Sequence, residues 1–421
     1  MQTNLAPEFK NTPDGNAAEA ILRKCVHCGF CTATCPTYQL LGNELDGPRG
    51  RIYLMKQVLE GMQPTRETQR HLDRCLTCRN CESTCPSGVD YGHLVDIGRK
   101  IVDAKVPRPA SEKAVRWALK EGLPSPLFAP AMAMGQLVRP LLPASLKNKV
   151  PAKQAFGVIP TRVHARKVLM LEGCVQPSMS PNINAATRRV LDAAGIQTLT
   201  APKAGCCGAV KFHLNDQDGG KAHMRINIDA WWPLVSNENG GGQIEAIVMN
   251  ASGCGVTVKE YGHILQDDPQ YAEKAKKISN LTKDLSELLP DLVQSLLSVR
   301  PELVEGIKAN AAKLSSVAFH PPCTLQHGQQ LRGGVEKYLQ ALGFKINVAS
   351  CEAHLCCGSA GTYSVLQPEI AYQLRDRKLG NLSEMNPEVI VSANIGCITH
   401  LQSGTQTPVK HWVELLDAAL N

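Results

Sequence analysis

Apolar positions along this 421-residue chain fall into three kinds of spacing. In "PRGRIYLMKQVLEGM" (Pro48–Met62), Ile52, Leu54, Met55, Val58, Leu59 and Met62 recur at roughly helical intervals, and Pro48 and Gly61 punctuate the ends. That predicts a helix inside a first zone reaching to about residue 105. Residues 106–166 hold nine prolines and no cysteine, with "AVRWALKEGL" helical ahead of "PSPLFAPAMAMGQLVRPLLP". This stretch reads as a basic, apolar connector. From residue 167 onward, short apolar runs suited to buried strands alternate with amphipathic helical stretches.

The third zone repeats itself. Its first copy begins with the strand "KVLMLEGC" (Lys167–Cys174), then the helix "NAATRRVLDAAGI" (Asn184–Ile196), a further strand and "GCCG" (Gly205–Gly208). A second apolar strand runs to a cysteine in "IEAIVMNASGC" (Ile244–Cys254), and "LTKDLSELLPDLV" closes the copy. The second copy reads "SVAFHPPC" to Cys323, the helix "GVEKYLQALGF", then "LCCG" (Leu355–Gly358), "PEVIVSANIGC" to Cys397 and the closing "VKHWVELLDAAL". Strand–helix–strand alternation predicts two small α/β units with parallel sheets. The expected fold is therefore α+β and multidomain, with boundaries at 1–105 (helical), 106–166 (connector), 167–298 and 299–421 (repeated α/β). "NENGGG" (Asn237–Gly242) reads as a loop tip rather than a phosphate cradle.

Composition changes this picture in two places. The net charge of +7 is uneven: residues 1–105 carry 13 basic against 12 acidic side chains, residues 106–170 carry 11 against 2, and residues 171–421 carry 21 against 24. The cationic excess thus sits on the connector, whose apolar "PLFAPAMAMGQLVRPLL" lies beside Arg139, Lys147, Lys149 and Lys153. Two readings stay open there: docking on an anionic membrane surface, or packing across the acidic C-terminal region. The connector's uncharged run, Gly122–Val138, is too short and too proline-broken to span a bilayer. The polar start "MQTNLAPEFKNTPDGN" lacks the order of a secretory signal. A cytoplasmic chain, peripheral on the inner membrane face, is expected.

The cysteines are the second change. Among seventeen, two runs share one spacing: "CVHCGFCTATCP" (Cys25–Pro36) and "CLTCRNCESTCP" (Cys75–Pro86). In a compartment where disulfides are rare, such clusters hold metals. C-x-x-C-x-x-C-x-x-x-C-P is the spacing of a bacterial ferredoxin site, in which three thiolates wrap one iron–sulfur cube and the fourth completes the other. That pairing makes Cys25, Cys28, Cys31 and Cys85 one 4Fe–4S ligand set, and Cys75, Cys78, Cys81 and Cys35 the second. Structural zinc uses four ligands and leaves half of these cysteines without a purpose. His27, between two ligands, reads as a surface residue. With its helical insert the zone resembles the α-helical ferredoxin domain of succinate dehydrogenase-type iron–sulfur subunits.

Each later repeat brings a lone cysteine, a vicinal pair before glycine and a further cysteine to the carboxyl edge of a parallel sheet: Cys174, Cys206, Cys207 and Cys254, then Cys323, Cys356, Cys357 and Cys397. Adjacent cysteines bond poorly to one another, so an additional iron–sulfur or zinc centre is the expected use; the alternative is buried free cysteines packing as small hydrophobes, which must explain the same four positions twice. Gly208 and Gly358 are expected to allow close backbone approach. His320 and His213 read as satisfied polar residues, with a proton or cluster neighbour as the alternative, and Cys351 as incidental. The chain has no Rossmann fingerprint, P-loop or nucleophile elbow. No residue here is therefore expected to be catalytic, and nucleic acid is not an expected partner.

The order of these parts, and the segment "CVHCGFCTATCPTYQLLGNELDGPRGRIYLMK", resemble the glycolate oxidase (glycolate dehydrogenase) iron–sulfur subunits over nearly the whole chain. The architecture is also similar to the iron–sulfur subunit of anaerobic glycerol-3-phosphate dehydrogenase and to heterodisulfide reductase subunits, which share the C-C-G modules. The resemblance implies flavoprotein partners that carry FAD and oxidise glycolate to glyoxylate, with electrons leaving through this chain to a quinone or other membrane acceptor. Two rivals remain: a heterodisulfide-reductase-like enzyme, and a metal-stapled scaffold with no electron-transfer role. Heterodisulfide reductase modules end in C-x-x-C, whereas Ala251 and Asn394 stand at the earlier cysteine position here. A five-cysteine non-cubane site is not supported.

Overall fold

The computed structural model describes residues 1–143, 147, 150–236, 242–299 and 301–420. Lys149 and residues 237–241 of the expected loop tip lie outside the described residues.

The N-terminal part is helical. Thr12 caps the helix Pro13–Lys24 by accepting from the Gly15 N–H at 3.1 Å, and proline occupies its first position, where no donor is lost. The expected apolar spacing forms the helix Pro48–Leu59, which packs on Tyr91–Lys105. Leu22, Met55, Leu59, Leu72, Leu94 and Val95 are buried between these helices. The cysteine runs lie at helix junctions around this core. Both Gly29 and Arg79 adopt left-handed backbone just ahead of short helices, Phe30–Ala33 and Asn80–Thr84.

The connector divides. Its first helix, Ala110–Gly122, is tied down at both ends by ion pairs. Asp73 takes Arg108 at 2.6 Å and Arg116 at 3.0 Å, while Lys120 meets Asp216 at 3.2 Å and Glu121 meets Lys211 at 2.8 Å. The second helix, Phe128–Leu137, buries no residue, and Leu127, Met134, Leu137 and Leu141 are exposed. Arg108 and Arg116 are thus held by the ferredoxin domain, while Lys120 and, farther on, Arg162 (3.1 Å from Asp192) face carboxylates of the first module, to which Gln136 also donates at the Ser178 carbonyl (3.0 Å); the apolar side chains between Leu127 and Leu141 face solvent.

The repeats form two four-stranded parallel sheets. The first comprises β1 (Arg166–Met170), β2 (Ile196–Leu199), β3 (Ile244–Met249) and β4 (Thr282–Asp284), in the order β2-β1-β3-β4. The second comprises β5 (Val317–His320), β6 (Ile346–Val348), β7 (Val389–Ser392) and β8 (Val409–His411), in the same relative order, β6-β5-β7-β8. Strands such as Val389–Ser392 are buried along their whole length, as sheets covered by helices on both faces require.

The modules pack reciprocally. Helix Pro181–Ala193 of the first lies on Trp412–Leu420, which closes the second. Helix Gly334–Ala341 of the second lies on Leu289–Val299, which closes the first. One apolar cluster runs through both, from Val168, Val190 and Leu292 to Val317, Leu339 and Trp412. Beside the site edges, the Ser252 N–H donates to the Ala393 carbonyl at 3.0 Å and Ser252 Oγ meets Thr324 Oγ1 at 2.7 Å.

Candidate metal centres

The fold brings each run's first three cysteines together with the other run's fourth. The sulfur neighbours of Cys31 are Cys25, Cys85 and Cys28, and those of Cys81 are Cys78, Cys75 and Cys35. Burial, with Cys25 alongside, pushes the Cys31 thiol up to about 11, and burial among Cys78 and Cys75 raises Cys81 well above the usual thiol value. Thiols packed so that each disfavours the others' ionisation are a donor set that a cation stabilises strongly. A cavity lined by Cys35, Cys75, Cys78 and Cys81 opens between them, with Arg51 and Tyr91 in its wall. Both sets fit the chemistry of four-thiolate cluster ligation. They differ in exposure: Cys28 is open to solvent, whereas Cys35, Cys75 and Cys81 are buried.

The second set also has polar neighbours that the sequence did not single out. Arg51 is buried, donating from Nε to the His71 carbonyl at 2.7 Å and from Nη1 to Thr37 Oγ1 at 3.2 Å. Burial works against its charge, but Cys75, Tyr91, Cys35 and Asp46 hold the guanidinium firmly protonated. Thr37 Oγ1 lies 3.3 Å from Cys35 Sγ, and the Thr77 N–H and Tyr91 hydroxyl donate to Cys75 Sγ at 3.3 and 3.7 Å. Arg51 belongs to the "GPRGRIYLMK" segment, but nothing in its spacing shows that the helix turns it inward.

The repeats each line up four sulfurs. Cys207 is in hydrogen-bond contact with Cys206 and Cys254, and Cys206 with Cys174. In the second module Cys357 contacts Cys356 and Cys397, and Cys356 contacts Cys323. The lead cysteine of this module also approaches the ferredoxin domain: the Cys323 thiol lies beside Cys78. A continuous file of sulfur therefore runs from the second ferredoxin set into the second module. Leu76, Tyr363, Leu374 and the Cys323 and Cys356 side chains pack around that junction, and the Tyr363 hydroxyl donates to the Arg74 carbonyl at 2.9 Å.

Both glycines after the vicinal pairs have positive φ, +92° at Gly208 and +89° at Gly358. A Cβ at Gly358 would come within 2.4 Å of the Ala371 carbonyl oxygen, so close approach is a packing requirement as well as a backbone one. The Gly208 and Gly358 N–H groups donate to Cys206 and Cys356 Sγ at 3.5 and 3.4 Å.

Some expectations need correction. None of the strand-end cysteines ends its strand: Cys174 and Cys323 lie beyond Met170 and His320, where β1 and β5 stop, and Cys254 and Cys397 are each the third residue of the following helix, Ser252–Lys259 and Ile395–Gln402. Strands β3 and β7 stop at Met249 and Ser392, and the chain turns before presenting the thiol. His213 is satisfied as expected, with Nδ1 3.2 Å from Asp96 Oδ1. His320 is not: it is buried, and neither ring nitrogen has a hydrogen-bond partner among the described residues. Burial holds it well below the usual histidine pKa, hence neutral. His27 is half-buried rather than a surface residue, with Nε2 unpartnered. Asn394, at the position of a missing fifth cysteine, donates from Nδ2 to Cys397 Sγ at 3.8 Å. Cys351 is exposed and its Sγ meets only Ser350 Oγ, at 3.9 Å. Lys378 was not anticipated. Its ammonium is buried beside Cys323, Cys357 and Cys356 and donates to the Glu352 carbonyl at 2.5 Å.

A helical dicluster domain joined to two cysteine-rich α/β modules defines an iron–sulfur protein of the electron-transfer class. Residues 21–89 match the family described as a 4Fe-4S dicluster domain, and residues 168–259 and 317–402 each match the cysteine-rich domain family. The chain is 54% identical over 423 residues to the glycolate oxidase iron-sulfur subunit of Escherichia coli (strain K12), covering 100% of this chain and 99% of that one. It is 30% identical over 432 residues to the probable glycolate oxidase iron-sulfur subunit of Bacillus subtilis (strain 168), covering 95% and 91%. Lactate utilization protein A of the same Bacillus strain is 24% identical over 261 residues, 60% of this chain and 99% of that protein. The chain belongs to the family of glycolate oxidase iron–sulfur subunits.

Proposed function

We propose that this chain is the electron-transfer subunit of a flavin-dependent glycolate dehydrogenase complex, taking electrons from flavoprotein subunits and passing them to a quinone-type acceptor at a membrane. The ligand sets are Cys25, Cys28, Cys31 and Cys85 for one 4Fe–4S cluster and Cys75, Cys78, Cys81 and Cys35 for the other. The cysteines of each repeat hold a further centre. Bound clusters supply one-electron exchange. The observation that supports the reading most is that Cys323 lies beside Cys78, a member of the second proposed ligand set. Arg51 and Lys378 supply buried positive charge next to groups that bind as thiolates. Tyr363, Leu76 and Leu374 keep the junction apolar.

The exposed apolar side chains between Leu127 and Leu141 support docking at the membrane, together with the exposed Lys153 nearby. Among the described residues no helix is long and apolar enough to cross one.

The test is Cys28→Ala in the assembled complex. One cluster's EPR signal should be lost and acceptor reduction should stop, while substrate still reduces the flavin. Undiminished turnover with the acceptor would rule out a route through this cluster.

A further inference from the structure

The reciprocal modules differ at one position that bears on chemistry. Three residues before its lead cysteine the second module has His320, and the first has Leu171. Both side chains are buried at the end of an equivalent strand. Around His320 the ligand atoms of His320, Cys357 and Cys397 all lie within 4.8 Å of one another. His320 is fully enclosed and unpartnered at both nitrogens, although a buried polar group left unpaired costs about 1–3 kcal/mol. Its main chain is fixed from the next strand, where Ser392 Oγ donates to the His320 carbonyl at 2.9 Å.

Ligand atoms within 4.8 Å of one another are close enough to converge on one ion. Nitrogen at about 2.0 Å and sulfur at about 2.3 Å from one tetrahedral ion put ligand atoms roughly 3.5–3.8 Å apart. Thiolates on separate irons of a cubane stand farther apart, because the cube lies between them.

Resting on the reading that the repeat cysteines ligate metal, we propose that the second module holds a single tetrahedral ion of the zinc class, with His320 as a nitrogen ligand beside Cys357 and Cys397. One coordination position remains, next to Cys356, which is in hydrogen-bond contact with Cys357. Leu171 denies the first module this nitrogen, so the two modules carry different centres.

The test uses the full chain purified anaerobically from zinc-supplemented medium, compared with His320→Leu and Cys397→Ser. Leucine is the residue the first module buries at this position, and an unchanged iron content of about eight per chain from the ferredoxin sets confirms that a variant is folded. The proposal expects tightly held zinc with a nitrogen in its shell by X-ray absorption. That zinc should be lost, or its shell become all-sulfur, in His320→Leu, and it should be absent from Cys397→Ser. Zinc lost in Cys397→Ser but unchanged in His320→Leu, with no nitrogen ligand, would overturn the role of His320 and leave the cysteine reading standing. No zinc in the unaltered protein would overturn the zinc-class site. If iron also does not exceed the ferredoxin share, the reading beneath it fails for this module too.

Discussion

Replacing Glu260 with glutamine should loosen the contact between the ferredoxin domain and the first module. Glu260 ends the helix Ser252–Lys259 that presents Cys254. Its carboxylate pairs with Arg79 Nη1 and faces His93 Nε2 at 3.4 Å, while Arg79 Nε also donates to Glu82 Oε2 at 2.7 Å. Burial would push the Glu260 carboxyl up, but His93 and Arg79 bring it down to about 2. Against an ordinary value near 4.3, that difference is worth about 3 kcal/mol. Arg79 keeps Glu82 after the substitution, so we take about 2 kcal/mol as the realised loss, or roughly 30-fold in a local opening equilibrium. Amide hydrogen exchange measures it: residues 79–93 and 252–264 should exchange about that much faster in Glu260→Gln at pH 7.

The pH dependence has a definite sign. A lowered carboxyl stabilises above its unfolded pKa and ceases to do so as pH falls from about 4 toward 2. Burial alone would lower the His93 pKa, but the Glu260 carboxylate raises it overall. The His93 contribution is complete below about pH 6.5 and is lost as pH rises through its folded value. Protection in the unaltered protein, corrected for intrinsic exchange, should therefore fall as pH rises above about 6.5, and this dependence should vanish in Glu260→Gln. Equal protection in both proteins at pH 7 would refute the reasoning.

The remaining predictions concern packing, thiols and the connector. Gly358→Ala should lower the unfolding temperature, since left-handed backbone costs roughly 1–2 kcal/mol and the new Cβ meets the Ala371 carbonyl. Gly306→Ala, in the helix Pro301–Ala311 where a Cβ meets nothing, should leave it unchanged or raise it; similar losses at both sites would contradict the packing argument. In native protein kept anaerobic, alkylation should spare Cys207 and Cys357 while modifying the exposed Cys351; free reaction of the first two, with no metal beyond the ferredoxin share, would make them structural. Sedimentation with vesicles should require anionic lipid, fall with salt, and drop when Lys147, Lys149 and Lys153 become Gln. Equal binding to neutral vesicles, or none to either, would remove the membrane role.

The parts of the site that were legible in sequence are those whose chemistry is local. A thiol every third residue followed by proline is itself a ligand geometry, and the fold sets Cys85 near Cys31 and Cys35 near Cys81. The repeat was legible because each copy ends its β–α pattern on the same cysteines. What stayed hidden depends on neighbours distant in the chain. His320 looks like any strand-end histidine until the fold buries it with neither ring nitrogen partnered among the described residues. Arg51 and Lys378 look like solvated positions of amphipathic helices until the helix faces are assigned. The helical placement of Cys254 and Cys397 was missed because apolar spacing does not reveal that the strands stop at Met249 and Ser392.

The reciprocal packing of the two modules has a consequence for how such a chain changes over generations. A lone module with these surfaces would have to bury them against a second copy of itself, and in a symmetric pair every substitution appears twice. Joining both copies in one polypeptide ends that obligation. Each half then needs only to keep the face its sibling leans on, and its sulfur-lined edge is free to specialise. Leucine at 171 opposite histidine at 320 is a divergence of this kind, available to a fused pair and closed to a homodimer.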